Sequence, residues 1–316
     1  MKPIADRPMF PHAVDSTMLA SFRSCPQLMF RQYVEHWKPR VESVHLIAGA
    51  AFAKGIEKAR EAFFVQELSA DESMGIGLQE LLSAYGDFSC PPESPKSAQR
   101  MAGALEFYFS EYPLGADGTN PLAFPDGRRA IEFSFAEPLP IAHPVTGDPI
   151  LYSGRADMIA EFAGGTYVFD EKTTSQLGPS WSRQWDLRSQ FTAYCWASGK
   201  AKIPVQGAIV RGVSILKSKY ETQQVLTYRQ DWEIERWLAQ TVRDITRMIQ
   251  AWQTGIWDWS LDHACAEYGG CILRQVCKAK TPEDWLPVYF EKRVWDPLLR
   301  KELSVEEYEK SWGHAG

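Results

Sequence analysis

Two acids and a lysine close the run TYVFDEKTTSQ over residues 166–176, where Asp170, Glu171 and Lys172 follow directly on Tyr-Val-Phe. Side chains along a strand alternate faces with period two, so Val168, Asp170 and Lys172 share one face and Tyr167, Phe169 and Glu171 the other. Just upstream, LYSGRADMIAEF over residues 151–162 is a second apolar-rich run, and Ala163-Gly164-Gly165 between the two is a hairpin signal. If Phe162 pairs with Gly165 across a two-residue loop, Asp157 falls opposite Asp170. Opposed carboxylates repel unless a cation compensates, and a divalent metal held by oxygen ligands is the usual one. The plainer alternative is a solvated strand end with a Lys-Asp ion pair.

A second constellation lies near the C-terminus. Cys265, Cys271 and Cys277 recur in HACAEYGGCILRQVCK with five residues between neighbours. In a reducing compartment disulfides are the weaker explanation, which makes metal or cluster ligation the natural candidate. The two C-x2-C knuckles of a zinc ribbon are missing. A cluster would need a fourth cysteine, and Cys25 in SFRSCPQLMF is the best placed of Cys25, Cys90 and Cys195. The alternative is a set of unconnected buried thiols.

The elements that must position these residues read as follows. Ser16 looks like the N-cap of a helix reaching about residue 36, interrupted or kinked at Pro26. A second helix starts near Ile47, and the chain stays mostly helical to Tyr112 apart from a loop around SCPPESPKS. Three strands follow, over about residues 128–141, 148–162 and 166–174, with Glu132 on the first. A helix at about 185–198, strands at about 205–216 and 221–230, and a long helix from Asp231 to about Thr254 complete the core. The order implies an α/β or α+β fold with a mixed sheet, organised as one domain over residues 1–316. Its parts are a mainly helical portion at 15–125, a catalytic core at 126–255 and a cysteine-bearing segment at 256–316. No internal repeat and no phosphate-binding P-loop are present, which argues against an ATP-driven motor.

Composition sets wide bounds. The 316 residues carry 45% hydrophobic and 23% charged residues and a net charge of −6, ordinary for a globular protein. That charge argues against binding polyanions over the whole surface, so contact with nucleic acid would need a local basic groove. The 12 tryptophans suit core packing, with base stacking as the alternative use. No apolar run of about 18 residues suggests a membrane span, and the N-terminal residues lack the apolar core of a signal peptide, so the expected location is the cytoplasm.

With the pieces in order, the sequence resembles the PD-(D/E)XK nuclease superfamily, and within it the RecB-like, CRISPR-associated and phage exonucleases that carry an iron-sulfur cluster. The resemblance covers most of the chain. STMLASFRSCP is similar to that group's N-terminal helix with its first cluster cysteine, Cys25. GRAD, with Asp157, resembles the first catalytic acid, and FDEKT, with Asp170 and Lys172, the (D/E)-x-K element. QFTAY, with Gln190 and Tyr194 four residues apart on one helical face, resembles Q-x-x-x-Y, and CAEYGGCILRQVC the C-terminal cluster segment. There are two departures. In GAAFAKGIE, Gly49 and Glu57 match the group's Gly-x-x-x-His helix motif with its following Glu, but Ala53 stands where histidine is usual. The C-terminal cysteines are also more evenly spaced than the helicase-linked pattern.

The resemblance implies a restriction-endonuclease-like core and a DNA nuclease, most simply an exonuclease acting on DNA ends or single strands in phage or bacterial recombination or repair. The alternatives are a catalytically weak DNA-binding recombination or CRISPR-adaptation partner and a nicking endonuclease. It also implies Mg²⁺ or Mn²⁺ held by Asp157, Asp170 and the Glu171 backbone carbonyl, with Glu57 as a further ligand or supporting acid, or else an ordinary helix-surface glutamate. Lys172 would position the attacking water, while Gln190 and Tyr194 would orient Lys172 or touch the DNA backbone. Arg155, on the strand face of Asp157, would contact phosphate. Cys25, Cys265, Cys271 and Cys277 would hold a structural 4Fe-4S cluster.

Overall fold

The computed structural model describes residues 7–261, 263–266 and 270–312. The chain begins with β1 (Ala13–Val14) and α1 (Ser16–Ser24). Asp15, not Ser16, is the cap: its carboxylate accepts the Thr17 and Met18 N–H groups, both at 2.8 Å. Pro26 forces Cys25 into an extended conformation and then opens α2 (Pro26–Met29) at its first turn, so the helix is interrupted there. A π-helical turn (Phe30–Val34) and β2 (Trp37–Pro39) follow.

Three helices come next: α3 (Val44–Phe64), α4 (Ala70–Tyr85), started by a Ser69/Glu72 capping box, and α5 (Ala98–Glu111). Gly55 and Gly77 let α3 and α4 close on each other, since a Cβ on Gly77 would stand 2.7 Å from the Gly55 carbonyl oxygen. The short β3 (Asn120–Pro121) leads into β4 (Ile131–Ala142), β5 (Pro149–Phe162) and β6 (Gly165–Thr174). After α6 (Pro179–Arg183) and α7 (Ser189–Lys200) come β7 (Gly207–Ile215), β8 (Tyr220–Tyr228) and α8 (Asp231–Thr254). The C-terminal part holds α9 (His263–Ala266), α10 (Arg274–Lys278), α11 (Pro282–Tyr289), β9 (Phe290–Lys292), β10 (Val294–Asp296), β11 (Lys301–Leu303) and α12 (Val305–Trp312).

The chain forms two compact units, each assembled from separated segments. One comprises residues 42–134 and 155–234, and the other residues 1–41, 135–154 and 235–316. In the first, β5, β6, β7 and β8 lie in that order, with β6 and β7 parallel and the other neighbours antiparallel. This is a mixed sheet flanked by helices. Every residue of β7 is buried, as expected of a central strand covered on both faces. The core on one face joins Phe52 and Ile56 of α3, Leu81 of α4, Leu105 and Tyr108 of α5, and Val213 and Ile215 of β7.

In the second unit β1 pairs in parallel with Leu151 and Tyr152 at the start of β5. The ribbon β2–β9 ties the two ends of its sequence together, and β10–β11 is a local hairpin beside it in the chain. Leu273, Val276, Leu286 and Phe290 form a small core there with Leu28 and Trp37. Among the described residues no helix is long and apolar enough to cross a membrane.

Candidate active site

The hairpin that places the acids is set by two residues. Ala163 (φ 49°) and Gly164 (φ 83°) both take positive φ, the requirement of a two-residue turn whose twist matches its strands. Phe162 therefore pairs with Gly165, and the ladder runs to Met158 opposite Phe169. The next couple in that register is Asp157 and Asp170. Instead of extending the ladder, Asp157 Oδ2 accepts the Glu171 backbone N–H at 3.0 Å, which fixes its carboxylate against the D-E-K segment. Lys172 forms an ion pair with Asp170, whose side chain is 1% exposed against 35% for the lysine. From α7, Gln190 Nε2 donates to Asp170 Oδ1 at 3.2 Å and to the Tyr194 hydroxyl at 2.8 Å, one helical turn on. Asp157, Asp170, Lys172, Gln190 and Tyr194 are thus one connected group.

Its electrostatics are strained in the direction that favours a bound cation. Burial and then the charge of Asp170 hold the Asp157 carboxyl well above the usual carboxylate range. Burial also raises Asp170, against the pull of Lys172. Burial opposes the charge on Lys172, but Asp170 and then Asp157 outweigh it and keep the ammonium above the ordinary lysine range. The two acids thus favour the charged form of Lys172.

The middle residue of the triplet faces the other way. The Glu171 carboxylate accepts Arg60 Nη1 at 3.1 Å, Arg60 Nη2 at 2.5 Å and the Tyr108 hydroxyl at 2.9 Å, in a pocket where the Arg60 and Glu171 side chains are 4% and 1% exposed. Burial disfavours its charge, yet Arg60 holds its pKa below the ordinary value. Arg211, stacked on Tyr112 and bonded to Asp117 at 2.7 Å and Gln224 at 2.8 Å, extends the network. Arg60 escaped the reading of the sequence. The available signal was an arginine on the alanine- and glycine-rich face of α3, 11 residues and so three turns beyond Gly49.

That face of α3 approaches the end of β6: a Cβ on Gly49 would lie 3.7 Å from Thr173 Oγ1. Ala53 follows one turn later, half-buried, and Glu57 another turn on. Glu57 pairs with its helix neighbours Lys54 at 2.7 Å and Lys58 at 3.2 Å, as an ordinary helix-surface glutamate also would. Its charge also reaches Glu132, whose carboxyl is pushed up to about 7 by burial first, against the pull of Arg155, with Glu57 and Glu171 adding to the rise. Glu132 sits at φ 54°, an uncommon conformation for a residue with a side chain and one that clusters at functional sites. Arg155, expected to meet phosphate, is held by Glu132 at 2.5 Å and remains 43% exposed.

Among the described residues no three His, Cys, Asp or Glu side chains are gathered closely enough to grip a metal ion as they stand. The donors nevertheless suit a hard cation. Asp170 Oδ2 and Glu132 Oε2 are buried without a well-aligned hydrogen bond, each matched only by the charge of Lys172 or Arg155.

In the other unit, Cys25, Cys265, Cys271 and Cys277 line one largely apolar cavity of about 190 Å³, walled by Leu28, Trp259 and Leu273. All four are free thiols, and the Cys271 N–H donates to the Cys265 carbonyl at 3.2 Å. Burial, then Cys271, Cys25 and Cys265, push the Cys277 thiol up to about 11. Cys90 and Cys195 do not line that cavity. Residues 267–269 of the cysteine segment lie outside the described residues.

Comparison with known proteins bears on the fold first. The profile of the PD-(D/E)XK nuclease superfamily matches residues 16–278. Among solved structures, a protein from Eubacterium rectale described as "Putative exonuclease" aligns with TM-score 0.48 and 10% identity, over 81% of this chain and 88% of that one. The structure of SSO0001 aligns with TM-score 0.30 and 13% identity, over 84% and 96%. No curated protein matches in sequence.

Proposed function

The chain belongs to the PD-(D/E)XK nuclease superfamily, and on that premise we propose that it is a divalent-metal-dependent deoxyribonuclease, an exonuclease acting on DNA ends or single strands. The observation that carries the proposal is the juxtaposition of Asp157 and Asp170, both with raised pKa, against a protonated Lys172. Such a group is costly for an empty protein and apt for one that receives a cation and a phosphodiester.

Mg²⁺ or Mn²⁺, the ions the superfamily generally uses, would be held by Asp157, Asp170 and the backbone carbonyl of Glu171, with Glu57 as a further ligand or supporting acid. Once bound, such an ion acidifies a water and offsets the charge of the scissile phosphate. The residues supply the rest. Gln190 fixes one oxygen of Asp170 and is itself held by Tyr194. Lys172 keeps its proton and donates to the attacking water or a non-bridging phosphate oxygen, orienting the one and stabilising charge on the other. Arg60 locks Glu171 so that its N–H holds Asp157. Arg155, exposed beside Glu132, offers its guanidinium to a phosphate of the substrate strand.

The four cysteines extend the reading to the RecB-like, CRISPR-associated and phage group with a 4Fe-4S cluster, and to phage or bacterial DNA recombination or repair in the cytoplasm. Four free thiols around one apolar cavity support it. Burial and then the neighbouring thiols raise Cys277, and binding of iron would draw the thiols to thiolates with release of protons. A cluster there would be structural, linking the α1–α2 junction to the C-terminal segment and shortening the free loop of the unfolded chain.

The test is cleavage of end-labelled linear single strands, linear duplexes and closed circles with Mn²⁺. Loss of the linear substrates with circles spared is expected. Nicked circles would make the protein an endonuclease, and binding without cutting would make it the weak partner that Ala53 allows.

A further inference from the structure

A groove in the same unit as the acids has no part in the chemistry described so far. It has a volume of about 620 Å³ and is lined by Glu61, Phe124, Arg128, Arg129, Glu132 and Phe133 among others, within the roughly 300–1,000 Å³ range of clefts that take small ligands. One wall is a short hairpin, with Phe124 N–H donating to Arg128 at 2.8 Å and Ala123 bridged to Arg129. Ile159, two residues from Asp157, anchors it through hydrogen bonds to Leu122 and Ala130 at 2.9 and 2.8 Å. The hairpin that walls the groove is thus hydrogen-bonded to β5, the strand that carries Asp157, and the lining reaches Glu132, the residue that holds Arg155.

Its lining has the chemistry of a polynucleotide site. Phe124 and Phe133 are half-buried and stack on each other, with ring centroids 6.0 Å apart and planes 27° apart. The Arg128 guanidinium lies 5.7 Å over the Phe124 ring, and its charge meets Asp126 at an exposed position. Arg129 is half-buried, hydrogen-bonded only to the Pro121 carbonyl at 3.1 Å, and has no acidic partner among the described residues. The one acid on the opposite wall, Glu61, is already paired with Lys58. Against a net charge of −6 this is a local pair of cations interleaved with aromatic rings.

We propose that the groove is a single-strand subsite: a DNA strand lays an unstacked base against Phe124 and Phe133, sets its phosphates on Arg128 and Arg129, and passes Glu132–Arg155 to reach Asp157 and Asp170. A duplex cannot use the rings, because its base faces are covered by its own stacking. A frayed or single strand can. The inference rests on the nuclease reading and adds to it the strand form that the site prefers.

The experiment measures binding by fluorescence anisotropy in the full chain carrying Asp170→Asn, so that substrate survives, using a labelled oligothymidylate and a blunt duplex of equal length. Phe124→Ala with Phe133→Ala should weaken oligothymidylate binding by about tenfold or more and duplex binding by less than twofold. Arg129→Ala should lower the slope of log affinity against log salt by about 0.7 on the single strand. Unchanged single-strand affinity and slope, or equal losses on both DNAs, would overturn the proposal. If the phenylalanine variants do not fold, as judged by circular dichroism, the exposed Arg128→Ala and half-buried Arg129→Ala decide through the salt slope alone. Cleavage by the otherwise native chain separates the two readings. Cutting that the groove substitutions leave untouched refutes the groove, whereas selective loss of single-strand binding in a chain that cuts nothing upholds the groove and refutes the nuclease.

Discussion

Replacing Arg60 by alanine isolates what holds the Asp170-Glu171-Lys172 triplet in place. Arg60 supplies two hydrogen bonds to Glu171, and both side chains are essentially out of water. Removing the guanidinium leaves a carboxylate with the Tyr108 hydroxyl as its hydrogen-bond donor and the charge of Arg211 nearby. Breaking a buried pair from one side costs about 3–5 kcal/mol, because the surviving charge is uncompensated. Replacing both partners by apolar residues of similar size is close to neutral. Urea denaturation of Arg60→Ala should therefore show a loss in that range, and Arg60→Met with Glu171→Met should recover most of it. The pH dependence has a definite sign. In the native protein the Glu171 pKa is depressed, so its contribution is present above the ordinary glutamate value and fades as the pH falls through the folded value. The variant's unpaired carboxyl takes up a proton instead, so the gap between the two proteins should narrow in acid. Because the Glu171 N–H holds Asp157, cleavage by Arg60→Ala should also drop by on the order of tenfold to a hundredfold, the scale of small misplacements at a reacting centre. A stability loss under about 1 kcal/mol, or a double variant no better than the single one, would refute the reasoning.

Anaerobically purified protein should be brown and carry about four irons per chain; Cys25→Ala should lower the iron content and Cys90→Ala and Cys195→Ala leave it unchanged, whereas colourless protein with stoichiometric zinc would contradict the cluster. Ala53→His should tighten Mn²⁺ by about tenfold in a metal titration of cleavage, since residue 53 lies between Gly49 and Glu57 on the face of α3 that approaches β6; no gain would show that the site works without that ligand. Burial, then Lys292 and Lys38, lower His36 to about 4, so the unfolded chain binds the extra proton between about pH 6.5 and 4 and thermal stability should fall across that window. His36→Asn, which tolerates the φ of 65° at this position, should flatten the fall.

What the sequence made legible is local. The Ala-Gly loop sets a register that a short-range pattern can specify, and Asp157 and Asp170 follow from it by counting. The Q-x-x-x-Y spacing gives Gln190 and Tyr194 one helical face, and Pro26 announces a break. What stayed hidden depends on partners far apart in the chain. Glu171 reads as a strand-end acid until Arg60 and Tyr108, 111 and 63 residues away, close over it. The positive φ of Glu132 has no glycine or asparagine to betray it. Ribbons of three residues, β2–β9 and β10–β11, are too short to show a period. The two units are each built from interleaved segments, so no single stretch of sequence separates them.

The most direct measurement is the single-turnover cleavage rate of an end-labelled single strand by the native chain and by Asp170→Asn, with Mg²⁺ and with Mn²⁺, both proteins shown to be folded by circular dichroism. The substitution keeps the shape and the Gln190 contact but removes the charge that pairs with Lys172 and would hold the ion. The native chain should cut, and Asp170→Asn should be slower by on the order of a hundredfold or more. Equal rates for the two proteins, or no cleavage by the native chain with either metal, would contradict the assignment of Asp157, Asp170 and Lys172 as a nuclease centre.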